Sequence, residues 1–195
     1  MIKFQENVSL AQYSTMRLGG IARYLAVITN EEELVKALSF ASEKNLVIHT
    51  VGSGSNTIFQ DEGFDGLIII NRILGVVEDF NSDSKVLTVG AGEGWDDIVS
   101  RSVELGFGDI AALSIIPGTT GAAPVQNIGA YGQQISDTII SVRAYDTDKE
   151  KFCEISKEDC KFSYRGSRFN SIDKSRFIIT SVKIMLCKRN IKPPF

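Results

Sequence analysis

The chain has 195 residues, 43% of them hydrophobic, enough for one large domain or two small ones with real cores. Its net charge of -3, from 24 acidic and 21 basic side chains, argues against the wholly basic surface that nucleic acids select and leaves only a local positive pocket. The opening MIKFQENVSL is too polar for a signal peptide and no apolar run is long enough to span a bilayer, so a cytoplasmic protein with no membrane partner is expected.

The first predicted element is a strand over residues 21 to 29, IARYLAVIT, entered through Gly19-Gly20. Thr29 then caps a helix, with Glu32 placed to return the reciprocal bond of a capping box. Leu34, Ala37, Leu38 and Ala41 recur at helical spacing, so the helix covers residues 30 to 44. LVIHTV at 46 to 51 reads as a second strand. It contains the one histidine, His49, read as a sheet or core position; with no partner histidines, zinc and haem have little support and no metal is expected. GLIIIN at 66 to 71 is another buried strand, a lobe boundary falls near residues 72 to 80, and VLTVG at 86 to 90 restarts the pattern. A helix from Trp95 uses Ile98, Val99 and Val103 and stops at Leu105-Gly106, and two short helical turns follow around residues 109 to 113. Strands at 138 to 146 and 151 to 155 form a hairpin, SKEDC at 156 to 160 reads as a short capped helix, and 177 to 187 is a final strand. KRNIKPPF then trails off without a cap or closing helix. Cys153, Cys160 and Cys187 form no CxxC pair, and their odd number argues against a disulfide framework.

The organising stretch is LSIIPGTTGAAPVQNIGAYG at 113 to 132. Pro117, Pro124 and four glycines exclude a regular helix or a central strand. Its apolar residues, Ile115, Ile116, Val125, Ile128 and Tyr131, argue against a polar linker. A rigid, partly buried loop with exposed amides suits a flat, large, partly polar ligand, and a long structural connection is the alternative. Two further segments end strands in glycine. GSGSN, comprising Gly52, Ser53, Gly54, Ser55 and Asn56, suits an anion nest for phosphate, although glycine-serine turns are also common connections. It is neither a GxGxxG fingerprint nor a lysine-bearing phosphate loop. GAGEGW, with Gly90, Ala91 and Gly92, feeds a helix through Trp95, which serves as core anchor, ligand-stacking residue or both, with the core favoured. In KFSYRGSRF, a tyrosine and a glycine break flank Arg165. Either an ordinary surface charge or a fixed guanidinium facing a carboxylate or phosphate fits, and Arg168 is the less constrained arginine.

Taken together, GSGSN, GAGEGW, IPGTTGAAPVQNIGAYG, YRGSRF and the opening NVSLAQYSTMRLGG resemble the UDP-N-acetylenolpyruvoylglucosamine reductase family, also called UDP-N-acetylmuramate dehydrogenase, over essentially the whole chain. The resemblance implies an α+β, two-lobed FAD-binding module of the vanillyl-alcohol oxidase type, with lobe 1 over residues 1 to 74 and lobe 2 over 75 to 195. It implies that residues 52 to 56 hold the pyrophosphate of FAD. Gly90, Ala91, Gly92, Pro117, Gly118, Thr119, Gln126, Asn127, Ile128 and Gly129 would lie near the cofactor. No histidine occurs in these loops, so FAD would be held noncovalently. NADPH would be the hydride donor, Arg165 would stabilise charge developing toward the carboxylate of a UDP-sugar substrate, and Tyr164 would help place that substrate. The family's further substrate-binding domain, with its proton-donating serine and assisting glutamate, is expected to be absent from these residues. The resemblance therefore also admits a naturally shortened, non-catalytic FAD module, or one component of an assembly completed by a second polypeptide. Another flavin oxidase of the superfamily is disfavoured by the YRGSRF match.

Overall fold

The computed structural model describes residues 2–80 and 84–188 and divides into two compact units, Met1–Leu74 and Gly75–Phe195. The trailing 189–195, and 81–83 of the polar run before the second lobe, lie outside the described residues.

In the first unit β1 (Phe4–Ser9), β2 (Ile21–Ile28), β3 (Val47–Val51) and β4 (Phe64–Asn71) form one sheet in the order β1-β2-β4-β3. The central pair is parallel and β1 joins antiparallel at one edge. This explains the unbroken apolar run of β4: flanked on both sides, Leu67, Ile68, Ile69 and Ile70 are all buried. β1 was not foreseen because FQENVS has no apolar alternation; it forms by pairing with β2. β3 is an edge strand, and His49 there is exposed, a sheet position and not a core one.

Helix α1 (Glu31–Glu43) packs Leu34, Ala37 and Ala41 inward. Its cap lies one residue later than Thr29 and Glu32 would place it. Asn30 Oδ1 accepts from the Glu33 amide at 2.9 Å, while Glu33 Oε2 accepts from both the Thr29 amide and its hydroxyl, at 3.0 and 2.8 Å. The competing Asn-Glu pair wins because asparagine is at least as good an N-cap as threonine. The same bonds hold the Glu33 carboxyl below its ordinary pKa.

The second unit is built on a five-stranded antiparallel sheet of β5 (Val76–Phe80), β6 (Ser84–Gly90), β9 (Ile139–Asp146), β10 (Lys151–Ser156) and β11 (Phe177–Cys187), in the order β10-β9-β11-β6-β5. Between β6 and β9 lie helix α2 (Trp95–Glu104) and the two-residue strands β7 (Gly129–Ala130) and β8 (Gln133–Gln134). α2 buries Trp95, Ile98 and Val99 against the core that contains Leu87, Val142 and Val182. Val103, expected on that face, is 46% exposed, and Ser102 takes the buried position with its hydroxyl donating to the Val99 carbonyl.

Two short elements differ from expectation. SKEDC is a capped turn and not a helix: Ser156 Oγ accepts from the Asp159 amide at 3.2 Å, and the chain then turns away. The two turns before the organising loop reduce to one 3-10 turn, Ala111–Leu113. At the far end of the sheet, Arg176 grips Asp146 with two bonds of 2.9 and 2.8 Å and holds its carboxyl down at about 2. The three cysteines are free thiols, and burial pushes Cys160 up to about 12. Among the described residues no helix is long and apolar enough to cross a membrane.

Candidate functional site

In the first unit, β3 runs straight into residues 52–56, and the turn is braced from behind. Thr15 donates its amide to the Gly54 carbonyl at 3.2 Å, and Arg72 Nη1 donates to the Gly52 carbonyl at 2.8 Å. Gly54 is buried at φ +71, and a Cβ there would stand 1.9 Å from the Tyr13 carbonyl oxygen. Only glycine fits this close approach. The amides of Ser53 and Gly54 donate to no backbone carbonyl among the described residues. Donors in a braced turn with a guanidinium alongside suit an anion. Ser53 and Ser55 hydroxyls lie 3.4 Å apart, Ser55 and Gly52 are half-buried, and Asn56 is exposed. Arg72 was not foreseen: one arginine after a strand carries no sequence signal.

In the second unit the structure brings two of the glycine-rich segments together. Trp95 donates its amide to Gly118 at 3.1 Å, Thr120 to Glu93 at 2.8 Å, and Gly121 to Ala91 at 2.9 Å. Residues 90–95 and 118–121 therefore run as a short backbone ladder. Gly121 is required at its closest point, since a Cβ would fall 2.5 Å from that of Ala91. Trp95 is 1% exposed and donates its ring N–H to the Leu113 carbonyl at 3.0 Å, so it is a core anchor that fixes the start of the organising loop, not a ligand-stacking residue.

The ladder leaves particular donors over. The amides of Gly92, Gly118 and Thr119 donate to no backbone carbonyl among the described residues, although Gly92 and Thr119 are buried. Buried amides are nearly always paired, so these call for an acceptor. Ring carbonyls and nitrogens of a flat heteroaromatic cofactor supply such acceptors, and the residues present fit FAD on this ground. Gly90 and Ala91, by contrast, spend their amides on Gly75 and Thr180, and they support the ladder from behind.

Of the remaining loop residues, Pro117 is exposed, and Gln126 and Gly129 are half-buried. Asn127 and Ile128 face inward. Ile128 is 5% exposed in the core, with its amide given to Ala123 and its carbonyl accepting from Ile135. Asn127 is 2% exposed, and its Nδ2 donates to Gln134 Oε1 at 2.8 Å and to the Ser163 carbonyl at 3.0 Å, while its Oδ1 accepts from the Ser136 amide at 3.2 Å. Both side chains thus belong to the loop's own support. Ile115 and Tyr131, which the apolar character of the loop would bury, are 84% and 81% exposed, each with positive φ.

The Asn127 bond, with Ser167 Oγ donating to the Val125 carbonyl at 2.6 Å, carries the turn of residues 163–166 to the organising loop. The turn is closed by reciprocal Ser163-Gly166 backbone bonds of 2.9 and 3.2 Å. Tyr164 is 87% exposed and Arg165 is exposed at φ +53, its guanidinium over the Tyr164 ring at 5.9 Å. Arg165 is therefore fixed through its backbone while its guanidinium faces outward. The expectation for Arg168 is reversed. Its guanidinium donates to Asp173 at 2.8 Å and to the Asp159 carbonyl at 3.1 Å and lies over Phe177, so it is the more constrained arginine. The reversal arises because Asp159 and Asp173 converge on Arg168 from separate turns, which local sequence does not reveal.

The FAD binding domain family model matches residues 22–156. The UDP-N-acetylenolpyruvoylglucosamine reductase of Salinispora arenicola is 37% identical over 186 residues, covering 95% of this chain and 51% of its own length. The crystal structure of the UDP-N-acetylenolpyruvylglucosamine reductase of Thermus caldophilus superposes with a TM-score of 0.76 at 24% identity, over 97% of this chain and 64% of its own. A VAO-type flavoprotein from Myceliophthora thermophila superposes with a TM-score of 0.63 at 15% identity, over 88% of this chain and 33% of its own. The α+β fold is thus that of VAO-type flavoproteins. The chain spans about half the length of the curated relatives it matches.

Proposed function

Because the chain belongs to the FAD binding domain family, we propose that it is the flavin-holding part of a reductase that converts UDP-N-acetylenolpyruvoylglucosamine to UDP-N-acetylmuramate, with NADPH as the hydride donor. The observation that carries this reading is the pair of buried amides at Gly92 and Thr119, which have no backbone acceptor among the described residues, on the same unit that presents Arg165. In the first unit residues 52–56 would take the pyrophosphate on the Ser53 and Gly54 amides, with the Arg72 guanidinium alongside. In the second unit Gly92, Gly118 and Thr119 would donate to the flavin ring, and Pro117, Gln126 and Gly129 would complete the contact. Asn127, Ile128, Gly90 and Ala91 hold these residues in place. FAD supplies hydride transfer when bound.

The chain's own residues bind, orient and polarise. Arg165 presents a planar fork of donors, which suits a substrate carboxylate whose charge grows during the reaction. Its backbone is held in the left-handed region, so the side chain leaves the turn in a fixed direction. Tyr164, under the guanidinium, keeps the arginine from collapsing onto the surface and offers an aromatic face to the sugar-diphosphate substrate.

Titration of the chain with FAD, followed by quenching of flavin fluorescence, should give saturable one-to-one binding; a linear, unsaturable response would overturn the reading. In the longest native form of the protein, Arg165→Lys should retain FAD and lose about 100-fold or more in NADPH-dependent product formation, the scale of a lost transition-state donor. Unchanged turnover would remove Arg165 from the role.

A further inference from the structure

We infer that Asn127 is a positioning residue that couples occupancy of the flavin loop to the Tyr164-Arg165 turn, an inference that rests on the FAD reading above. Asn127 sits at φ +45 and is 2% exposed, where the organising loop meets residues 134–136 and, 36 positions away, Ser163. Its two Nδ2 hydrogens reach Gln134 Oε1 and the Ser163 carbonyl, at 2.8 and 3.0 Å, and its Oδ1 takes the Ser136 amide at 3.2 Å. No other residue type supplies two donors and an acceptor on so short a stem while tolerating left-handed backbone. Ser163 is the first residue of the turn that presents Arg165, and its amide and carbonyl both close that turn through Gly166. The Ser163 carbonyl therefore accepts from Gly166 and from Asn127 together.

The consequence is directional. Residues 118–121 lock to 91–95 through the ladder, and Ala123 takes the Ile128 amide at 3.1 Å, so the loop around Asn127 continues directly from the donors that face the cofactor. A ligand that orders Gly118 and Thr119 also orders the Asn127 backbone, and the Nδ2 bond passes that order to Ser163. Ser167 Oγ, bonded to the Val125 carbonyl at 2.6 Å, is a second tie between the same two segments, but it lies beyond the turn, not within it. Asn127 is thus the tie that acts on Arg165, and cofactor binding should stiffen the arginine's turn before any substrate arrives.

The test is amide hydrogen exchange on the chain with and without saturating FAD. In the unsubstituted protein, FAD should slow exchange of the Ser163 and Gly166 amides by about 5-fold, the scale of one hydrogen bond. Asn127→Gly accepts the backbone conformation and removes all three side-chain bonds; with FAD raised until the variant is saturated, the FAD-dependent protection at Ser163 and Gly166 should vanish. Gln134→Met, which leaves the Ser163 bond in place, should keep that protection. If the glycine variant does not fold, Asn127→Asp serves instead, since it preserves shape but has no donor for Ser163. FAD protection of the turn that survives loss of the Nδ2 donors would overturn the inference, as would FAD binding that never protects the turn. Failure of the unsubstituted chain to bind FAD would overturn the cofactor reading on which the inference stands.

Discussion

Substituting Gly121 with alanine tests the ladder directly. The added Cβ would stand 2.5 Å from the Cβ of Ala91 and 3.0 Å from its carbonyl oxygen. Apolar carbons rest at roughly 3.5 to 4.0 Å, so the two segments must part by about 1 Å. That parting stretches the 2.9 Å Gly121-Ala91 bond past any useful length and strains the neighbouring 2.8 Å bond from Thr120 to Glu93. The methyl that must give way is joined directly to the backbone of buried Ala91, so relaxation is restricted. Overpacking of this kind costs about 1–3 kcal/mol, and the displaced Gly118 and Thr119 amides should weaken FAD binding by about tenfold or more. Urea unfolding monitored by circular dichroism gives the first quantity and flavin fluorescence titration the second. Ala91→Gly in the same chain removes the nearer methyl and should recover part of both losses, a coupling that independent sites would lack. If Gly121→Ala left the urea midpoint and the FAD affinity unchanged, the close approach of these segments would not be what shapes the cofactor loop.

Trp95→Phe should destabilise the chain by about 1–3 kcal/mol, because the Leu113 carbonyl loses its 3.0 Å donor and the smaller ring leaves a void; the change in urea midpoint measures it. Asp146 titrates below the ordinary 3.8 because Arg176 grips it, with a folded value of about 2. Its contribution, at most about 2 kcal/mol, is therefore complete above pH 3.8 and lost as pH falls through about 2. Unfolding free energies at pH 5 and pH 2.5 should differ less in Asp146→Asn than in the parent; equal differences would remove this ion pair from the acid response.

Much of the architecture was written in local pattern. The parallel core strand GLIIIN, the helical spacing of Leu34, Ala37 and Ala41, and the glycine-rich strand ends carry their structural reasons within a few residues. What escaped was set by partners far away in the chain. β1 has no apolar alternation and exists because β2 offers it an edge. For His49 the apolar run left sheet and core positions both open, and the place of β3 at the edge of its sheet decides for an exposed sheet position. The cap of α1 shifted by a single residue, because two adjacent residues could both serve and only the competition between them settles which one does.

The candidate site divides the same way. Glycine reports that something approaches closely, but not what. At Gly54 the visitor is the Tyr13 carbonyl, and at Gly121 it is the Ala91 methyl. Gly92 is buried, and its amide donates to no backbone carbonyl among the described residues. The sequence presents the three residues alike, and only the structure shows which approach each glycine allows. Asn127 shows the same limit in a side chain: it invites a ligand contact, whereas its bonds run to Gln134, Ser136 and Ser163, the last of them 36 positions away. Arg165 and Arg168, three residues apart, were likewise separable only by the carboxylate that Asp173 brings to one of them. Arg165 is left with its guanidinium outward, whereas that of Arg168 is occupied in holding the turn's far side.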